Sequence, residues 1–464
     1  MRSEFDMSRK THRPTMALIY PPTNAVTVSP SLGLGYLAAC LQQADYGVQL
    51  YDLARRHMTF KQMVRQLAET RPKYIGLSIS TPNYHNSSKI AQMLRSLPYR
   101  PTIILGGPHV SVYPRAALTE FDGDYVLKKE SEYSLIELLN TLEDGGDPSG
   151  VNGIAFKPNG EIIETEDAPI PRDLDELPWP AWNLIQPQVY PPIPHQLFVK
   201  NLPVAPVLTS RGCPFNCNFC ASTYLFGAKI RRRDLKDVVD EMFYLVDNFG
   251  IKEIHIEDDN PTLVKKHIYG LCDELLSRDR PLSWKFPNGI MVKTADEELL
   301  RKMRKAGCYQ ISLGIETVNE ETEIGKDVPI GRLKDITKIA KEIGMQTNGL
   351  FVVGLPNETD NMIKRTIEQA RQFGLDFAHF GAYVPLPGSS WGEEAIRDRS
   401  DFAQINFFSV TQRKDDDAKR VKGYQRSAVL GFYLRPRSIW RILKMLKPRQ
   451  LSGFLYTFRR YVFG

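Results

Sequence analysis

Cysteine is scarce in this sequence, with six among 464 residues, and so few in so long a chain exclude a disulfide framework. The chain also lacks any run of about 18 apolar residues, so no transmembrane helix is predicted. Its first 14 residues, MRSEFDMSRKTHRP, are polar and do not resemble a signal peptide. These absences predict a cytoplasmic protein, and the length predicts two or three domains.

Three of the six cysteines are close together, in the segment RGCPFNCNFCAS. Cys213, Cys217 and Cys220 form a CxxxCxxC spacing directly after the apolar run PVAPVLTS. Three such thiolates can hold three irons of a 4Fe–4S cluster and leave the fourth iron open to a small molecule. A structural zinc site needs four ligands, and no suitably spaced cysteine or histidine pair supplies the fourth, so the spacing favours the cluster. The other cysteines lie in apolar segments and are predicted to be core residues: Cys40, Cys272 and Cys308.

Residues 15–145 alternate between short apolar runs and amphipathic segments. This alternation predicts a doubly wound, flavodoxin-like parallel sheet, an α/β fold whose ligand lies outside the carboxyl ends of the strands. The informative loops are therefore PPTNAV, SISTPNY and GGPHVS, which follow the first, third and fourth predicted strands. The candidate ligand contacts are Ser78, Thr81, Gly106, Gly107 and His109.

A second alternation occupies residues 201–390, after a proline-rich linker over 146–200. Six strand–helix units predict a partial (β/α)6 barrel, in which the chemistry belongs at the carboxyl ends of the strands. The CxxxCxxC loop follows the first of these strands, so its predicted position agrees with a catalytic role.

Taken with its βα core, the CxxxCxxC loop resembles the radical S-adenosylmethionine (SAM) superfamily. The segments PSLGLGYLAA, GGPHVS and DYVLKKESEYSLIELL further resemble the cobalamin-binding domain that precedes this core in one subfamily, which includes the class B methylases. An Asp-x-His-x-x-Gly motif is missing, which in that subfamily implies cobalamin bound without a protein imidazole on cobalt. The same absence leaves open a degenerate domain that binds no cobalamin.

The resemblance implies three cofactors, namely a 4Fe–4S cluster, SAM and cobalamin. The cluster then cleaves SAM to methionine and a 5′-deoxyadenosyl radical, and in a methylase methylcobalamin donates its methyl group to an unactivated carbon of the substrate. Two alternatives stay open: a cyclisation, oxidation or rearrangement without methyl transfer, and a non-catalytic cobalamin- or redox-responsive binding protein. An intact CxxxCxxC motif and six βα units favour the enzyme.

The resemblance also implies which residues contact SAM. Glu257 and Asp258 close the second strand of the core, Glu316 ends the fourth, and Gly354 begins the turn GLPNET. Arg231 and Arg233 are candidate partners for the SAM carboxylate, because a guanidinium matches a carboxylate with two hydrogen bonds. The alternative for each acid is a helix cap or a solvated loop charge. Position alone suggests substrate contacts for two tyrosines, Tyr309 and Tyr383.

The last segment, residues 391–464, is predicted to be a basic, helical extension. From residue 419 onward it has 12 Lys and Arg and no Asp or Glu, so the preceding chain carries a net charge of −6. Such a helix can cap the barrel, with its basic side chains covering apolar surface, or lie on an anionic membrane. Capping is favoured, and nucleic acid is not an expected partner. The expected partners are a small-molecule substrate and an external electron donor such as flavodoxin or ferredoxin.

Overall fold

A computed structural model describes residues 13–23, 28–55, 57–192, 199–395 and 415–445. This part of the chain divides into two compact units. The first contains a sheet of seven strands, and the second contains a sheet of six strands together with a short two-stranded hairpin.

Among the described residues, the first unit contains seven strands and seven α-helices. They are β1 (Arg13–Tyr20), α1 (Leu32–Gln43), β2 (Tyr46–Asp52), α2 (Phe60–Thr70), β3 (Tyr74–Ser78), α3 (Tyr84–Arg95), β4 (Thr102–Gly106), α4 (Pro108–Val112), α5 (Pro114–Glu120), β5 (Tyr125–Leu127), α6 (Glu132–Glu143), β6 (Ile154–Phe156), β7 (Ile163–Glu164) and α7 (Trp182–Ile185).

The first sheet has the order β2-β1-β3-β4-β5-β6-β7, and its strands from β2 to β5 are parallel. This is the flavodoxin-like order, and it confirms the predicted fold class. The order reverses between β1 and β3, where doubly wound sheets bind ligands. Strands β6 and β7 add an antiparallel hairpin, so the sheet extends past residue 145 into the segment predicted as a linker.

Helices cover both faces of this sheet. On one face α2 and α3 bury Met63, Leu67 and Ile90 against the strands, and on the other α1 and α6 bury Leu41 and Leu138. Parallel sheets need such two-sided cover because both of their faces are apolar. A ligand is therefore excluded from the two faces, and in doubly wound sheets it binds at the carboxyl ends of the strands.

The second unit contains eight strands and nine helices among the described residues. They are β8 (Val204–Val207), β9 (Ser210–Arg211), α8 (Ser222–Phe226), β10 (Arg231–Arg232), α9 (Leu235–Phe249), β11 (Glu253–Ile256), α10 (Lys265–Ser277), β12 (Ser283–Met291), α11 (Glu297–Lys305), β13 (Cys308–Glu316), α12 (Leu333–Glu342), β14 (Gln346–Val353), α13 (Asp360–Gln372), β15 (Phe377–Ala382), α14 (Ser390–Ala395), α15 (Asp415–Tyr433) and α16 (Pro436–Met445).

Six of these strands form a wholly parallel sheet in sequence order, β8-β11-β12-β13-β14-β15. This succession of six βα units is the predicted core. All carboxyl ends lie at one edge, so the loops after β8, β11, β13 and β14 share that edge.

Helix α15 packs against β15, the last strand of the second sheet. Gln425 Nε2 donates to Phe380 O at 2.8 Å, Tyr433 Oη donates to Ala378 O at 2.8 Å, and Phe432 is buried. Helix α15, one part of the predicted extension, therefore caps the core. The remainder of that prediction, residues 396–414 and 446–464, lies outside the described residues. Across the described ranges, every helix is too short or too polar to span a membrane.

Candidate active site

The CxxxCxxC loop connects β9 to α8 at the carboxyl edge of the second sheet. Its cysteines Cys213, Cys217 and Cys220 are free thiols with partly exposed side chains. Strand β9 pairs antiparallel with β10 just beyond the loop. Gly212 has φ +93°, and a Cβ there would lie 2.4 Å from Lys229 O, so only glycine permits this approach of the segments that adjoin the two strands.

Hydrogen bonds inside the loop fix its backbone. Cys220 N donates to Cys217 O at 2.9 Å, and Thr223 Oγ1 donates to Phe215 O at 2.9 Å and more weakly to Cys213 O at 3.3 Å. Two donors reach the sulfurs themselves: Ser222 N lies 3.5 Å from Cys220 Sγ, and Asn260 Nδ2 lies 3.8 Å from Cys213 Sγ.

The thiols are held in a partly dehydrated environment. Burial raises the pKa of Cys217 to about 11, and it also raises the pKa of Cys220. Iron binds the thiolate, so these cysteines release protons when they bind metal. Among the described residues, no three His, Cys, Asp or Glu side chains converge on a single ion. A 4Fe–4S cluster does not need such convergence, since each thiolate binds its own iron, and three partly exposed thiols on one loop fit that requirement.

Two predicted SAM residues lie at the same edge of the sheet. Glu257 follows β11 and is partly exposed, and Glu316 ends β13. Glu316 has a left-handed backbone with φ +60°, beside a register shift between β13 and β14. Such a conformation costs of order 1–3 kcal/mol and is concentrated at functional sites. Glu316 Oε1 accepts from Lys326 Nζ at 2.7 Å, an ion pair that sequence analysis missed.

The other predicted SAM residues are engaged inside the protein. Asp258 is buried and accepts from Thr209 N at 2.7 Å and from the hydroxyls of Thr209 and Ser210. Burial raises its pKa to about 6. Asp258 thus holds the segment between β8 and the cluster loop. Gly354 has φ +81°, and a Cβ there would lie 2.7 Å from Val421 Cγ1 on α15.

Arg233 lies in a buried ion-pair network with helix α9. Its Nη1 is 2.5 Å from Glu241 Oε2 and its Nη2 is 2.9 Å from Asp237 Oδ2. Nη1 also donates to Leu208 O at 2.9 Å. The guanidinium therefore ties α9 to the segment after β8, and both of these carboxylates belong to the protein.

A second polar cluster lies at the opposite, amino end of the sheet. Glu253 accepts from Tyr309 Oη at 2.5 Å and from Asn201 N at 2.8 Å, and His255 Nε2 lies 3.0 Å from its Oε1. Lys285 is fully buried beside them, and burial lowers its pKa to about 8. Tyr309 is therefore far from the strand ends that carry the cluster loop, and its expected substrate contact is wrong.

In the first unit, all five predicted ligand contacts lie around the carboxyl ends of β3 and β4. Ser78 and Gly106 are register partners at the last positions of these strands. Gly107 has φ +102°, and Thr81 Oγ1 lies 3.1 Å from His109 Nδ1.

The residues at this edge differ in how much room they leave for cobalamin. A Cβ on Gly106 would meet no atom within 4 Å, so open space lies beside the end of β4. His109 is buried, and its ring packs edge-on against Tyr84 and Tyr113 at 5.1 and 5.6 Å. The imidazole of His109 thus packs against aromatic side chains of its own unit.

Two protein families match this chain. Residues 23–139 match the B12 binding domain, and residues 207–370 match the radical SAM superfamily. The second match begins at the end of β8 and ends within α13, so it includes the cluster loop and Glu316.

Similar proteins include methyltransferases and cyclases. An uncharacterized methyltransferase of Pyrococcus horikoshii is 29% identical, over 90% of this chain and 92% of its own length. The cytidylyl-2-hydroxyethylphosphonate methyltransferase of Streptomyces wedmorensis is 30% identical, over 79% of this chain and 78% of its own. The anaerobic magnesium-protoporphyrin IX monomethyl ester cyclase of Rubrivivax gelatinosus is 30% identical, over 83% and 70%.

Two solved structures share the fold. The radical SAM methyltransferase TsrM of Kitasatospora setae superposes with a TM-score of 0.69, at 21% identity, over 82% of this chain and 76% of its own. The cobalamin-dependent radical SAM enzyme OxsB superposes with a TM-score of 0.72, at 15% identity, over 97% and 71%.

Proposed function

Because the chain belongs to the radical SAM superfamily and carries a B12 binding domain, we propose that it methylates an unactivated carbon of a small-molecule substrate. The observation that carries this proposal is the loop of three free, partly exposed cysteines at the carboxyl edge of a six-stranded parallel sheet. When bound, the cluster supplies the electron that cleaves SAM, and cobalamin serves as methyl carrier.

The chain's own residues bind and orient these groups. Cys213, Cys217 and Cys220 hold three irons, and the Asn260 amide and the Ser222 N–H donate toward two of the sulfurs. Hydrogen bonds to the sulfurs are among the features that set a cluster's reduction potential.

Glu257 and Glu316 are the SAM contacts that the geometry favours. Glu257 directly follows β11 and Glu316 ends β13, both at the edge that carries the cluster loop, and the strained backbone of Glu316 supports a functional role. In the first unit, Ser78 and Gly106 border the open end of the β3–β4 edge, and we propose that cobalamin lies there.

The experiment is anaerobic reconstitution with iron and sulfide, addition of hydroxocobalamin and SAM, and reduction by a strong reductant. A methyltransferase is expected to form 5′-deoxyadenosine and S-adenosylhomocysteine, the latter only when cobalamin is present. Reduced flavodoxin or ferredoxin should replace the chemical reductant. A preparation that has neither cluster absorbance nor SAM cleavage would contradict the enzyme proposal.

A second candidate function is ring closure or oxidation without methyl transfer. The similarity to the cyclase of Rubrivivax gelatinosus favours it, because the identity matches that of the phosphonate methyltransferase. The same assay separates the two functions: 5′-deoxyadenosine without S-adenosylhomocysteine, in the presence of bound cobalamin, supports the cyclase-like reaction.

We further propose that helix α16 contacts an anionic membrane surface. Leu434 and Trp440 are 60% and 61% exposed, and Ile439 beside them is also exposed. Lys444 Nζ lies over the Trp440 ring, so apolar and cationic groups occur together, as in helices that bind anionic lipid.

Vesicle sedimentation tests this contact. The protein is expected to sediment with phosphatidylglycerol vesicles and not with phosphatidylcholine vesicles, and Ile439→Ser/Trp440→Ser should remove most of the binding. Tyr133→Ser, which alters an exposed apolar side chain of the first unit, serves as the matched control. Equal sedimentation of both variants would contradict the proposal.

A further inference from the structure

A turn that follows β13 is hydrogen-bonded to the cluster loop. Asn218, directly after the second cysteine of the motif, donates from its backbone N to Ile324 O at 3.1 Å and from its Nδ2 to Glu323 O at 2.7 Å. The carbonyl of Asn218 accepts from Trp391 N at 2.9 Å. This residue therefore joins the cluster loop to two other segments of the second unit.

Gly325, which follows Ile324 in the turn, lies even closer to the backbone of the cluster loop. Gly325 has φ +72°, and a Cβ there would lie 3.0 Å from Asn216 O and 3.4 Å from Cys217 Cα. Glycine satisfies both the left-handed backbone and the short distance. The turn over residues 323–326, which we name the cluster-loop turn, thus lies directly against the backbone of Cys217.

Lys326 ends the cluster-loop turn, and its side chain is directed by an ion pair. Its Nζ lies 2.7 Å from Glu316 Oε1, and both side chains are mostly buried, at 14% and 12% exposure. Room for the ammonium comes from Gly314, where a Cβ would lie 2.5 Å from Nζ. Residues on β13 therefore create both the space and the counter-charge for this lysine.

The ammonium of Lys326 is held at the cluster loop by geometry. Glu316 Oε1, 2.7 Å from Nζ, supplies its counter-charge. Gly325, the residue before Lys326, lies so close to the loop that a Cβ there would be 3.4 Å from Cys217 Cα. The turn therefore carries a mostly buried cation to the backbone of the second cluster cysteine.

We propose that Lys326 is a positioning residue that raises the reduction potential of the 4Fe–4S cluster. Reduction adds one negative charge to a cluster that already carries three thiolates, and a fixed cation in a mostly buried site stabilises that charge. The cluster-loop turn holds the cation at this place. The inference rests on the cluster of the proposed function, but it does not depend on methyl transfer.

The test is a reductive titration of reconstituted protein, with the reduced cluster followed by electron paramagnetic resonance. Lys326→Met is compared with Lys293→Met, which removes a lysine from an exposed ion pair with Asp327 near the same turn. At the wild-type midpoint potential, the ratio of reduced to oxidised cluster should fall at least about tenfold in Lys326→Met, equivalent to a 59 mV shift for one electron. It should stay unchanged in Lys293→Met.

Two further variants separate charge from packing. Lys326→Arg should keep the wild-type potential, and Glu316→Gln should shift it in the opposite direction to Lys326→Met. If Lys326→Met binds no iron, a normal cluster in Lys326→Arg still supports the role of charge, whereas loss of iron in both variants overturns it. An intact cluster with unchanged potential in Lys326→Met also overturns the inference, while the proposed function stands on its own assay.

Discussion

The two ends of the six-stranded sheet hold similar residues in different states. At the amino end, Glu253 and Lys285 are fully buried among protein partners. At the carboxyl end, Glu316 and Lys326 keep some exposure, and the loop at this end carries three free thiols that can bind metal. The difference teaches that a buried acid and a lysine alone do not identify an active site. The active site is identified by groups that can still bind a metal, here three free thiols, at an edge of the sheet that solutes can reach.

The largest expected effect is at the carboxyl end. Cys217→Ala should reduce bound iron after reconstitution to background, because one thiolate of three is lost from a cluster with no spare protein ligand in the motif. Cys272→Ala, at a buried cysteine of α10, is the matched control and should keep its iron. Iron analysis and visible absorbance measure both. Hydroxocobalamin affinity should be the same in the two variants.

Substitutions at the amino end should change the stability of the fold and not the binding of iron. Glu253→Gln removes one of the two negative charges that act on the buried Lys285 and disturbs the hydrogen bonds from Tyr309 and Asn201, so it should lower the free energy of unfolding by about 1–3 kcal/mol. Urea denaturation of the metal-free protein measures this, and Glu253→Gln/Lys285→Met should recover part of the loss. If folded Glu253→Gln protein failed to assemble the cluster, the amino end would also be needed for iron binding. That result would contradict the assignment of stability to one end and iron binding to the other.

A pH dependence of stability is expected from Asp258, which lies near the carboxyl end but is buried. Burial raises its pKa from 3.8 to about 6, so the folded state binds this proton more tightly than the unfolded chain does. The stabilisation that this proton provides is complete below pH 3.8 and is lost as the pH rises through about 6. Over this range the free energy of unfolding should fall by up to about 3 kcal/mol.

Asp258→Asn isolates this effect. The difference in free energy of unfolding between wild type and Asp258→Asn, measured on metal-free protein from about pH 4 to 7, should change in favour of the variant as the pH rises. Parallel stability curves would show that Asp258 has the same pKa in the folded and unfolded states.

The smallest effects are expected in the first unit, where two adjacent glycines should respond differently to substitution by alanine. Gly107→Ala should lower the free energy of unfolding by about 1–3 kcal/mol, because its φ of +102° is reserved for glycine and the new Cβ would lie 2.6 Å from Ile79 O. Gly106→Ala should leave stability unchanged and weaken hydroxocobalamin binding, measured by spectral titration, since its Cβ would enter open space. Equal affinity in Gly106→Ala would remove this strand end from the cobalamin site.

Local pattern was enough to predict much of this protein. Alternation of apolar runs and amphipathic segments predicted both parallel sheets, since strand and helix periodicities are properties of short segments. The CxxxCxxC spacing predicted the cluster loop for the same reason: its three ligands occur within eight consecutive residues.

Tertiary structure decided which charged residues lie together. Glu253 and Tyr309 are 56 residues apart and meet at the amino end, where no motif marks them. Arg233 was predicted from the sequence to contact the SAM carboxylate, but in the structure its guanidinium pairs with two carboxylates of α9. Lys326 carries no signature in sequence, because its position against the cluster loop depends on the register of β13, the space at Gly314 and the turn at Gly325. A motif records ligands that are close in the chain, whereas the charges around them come from strands that only folding brings together.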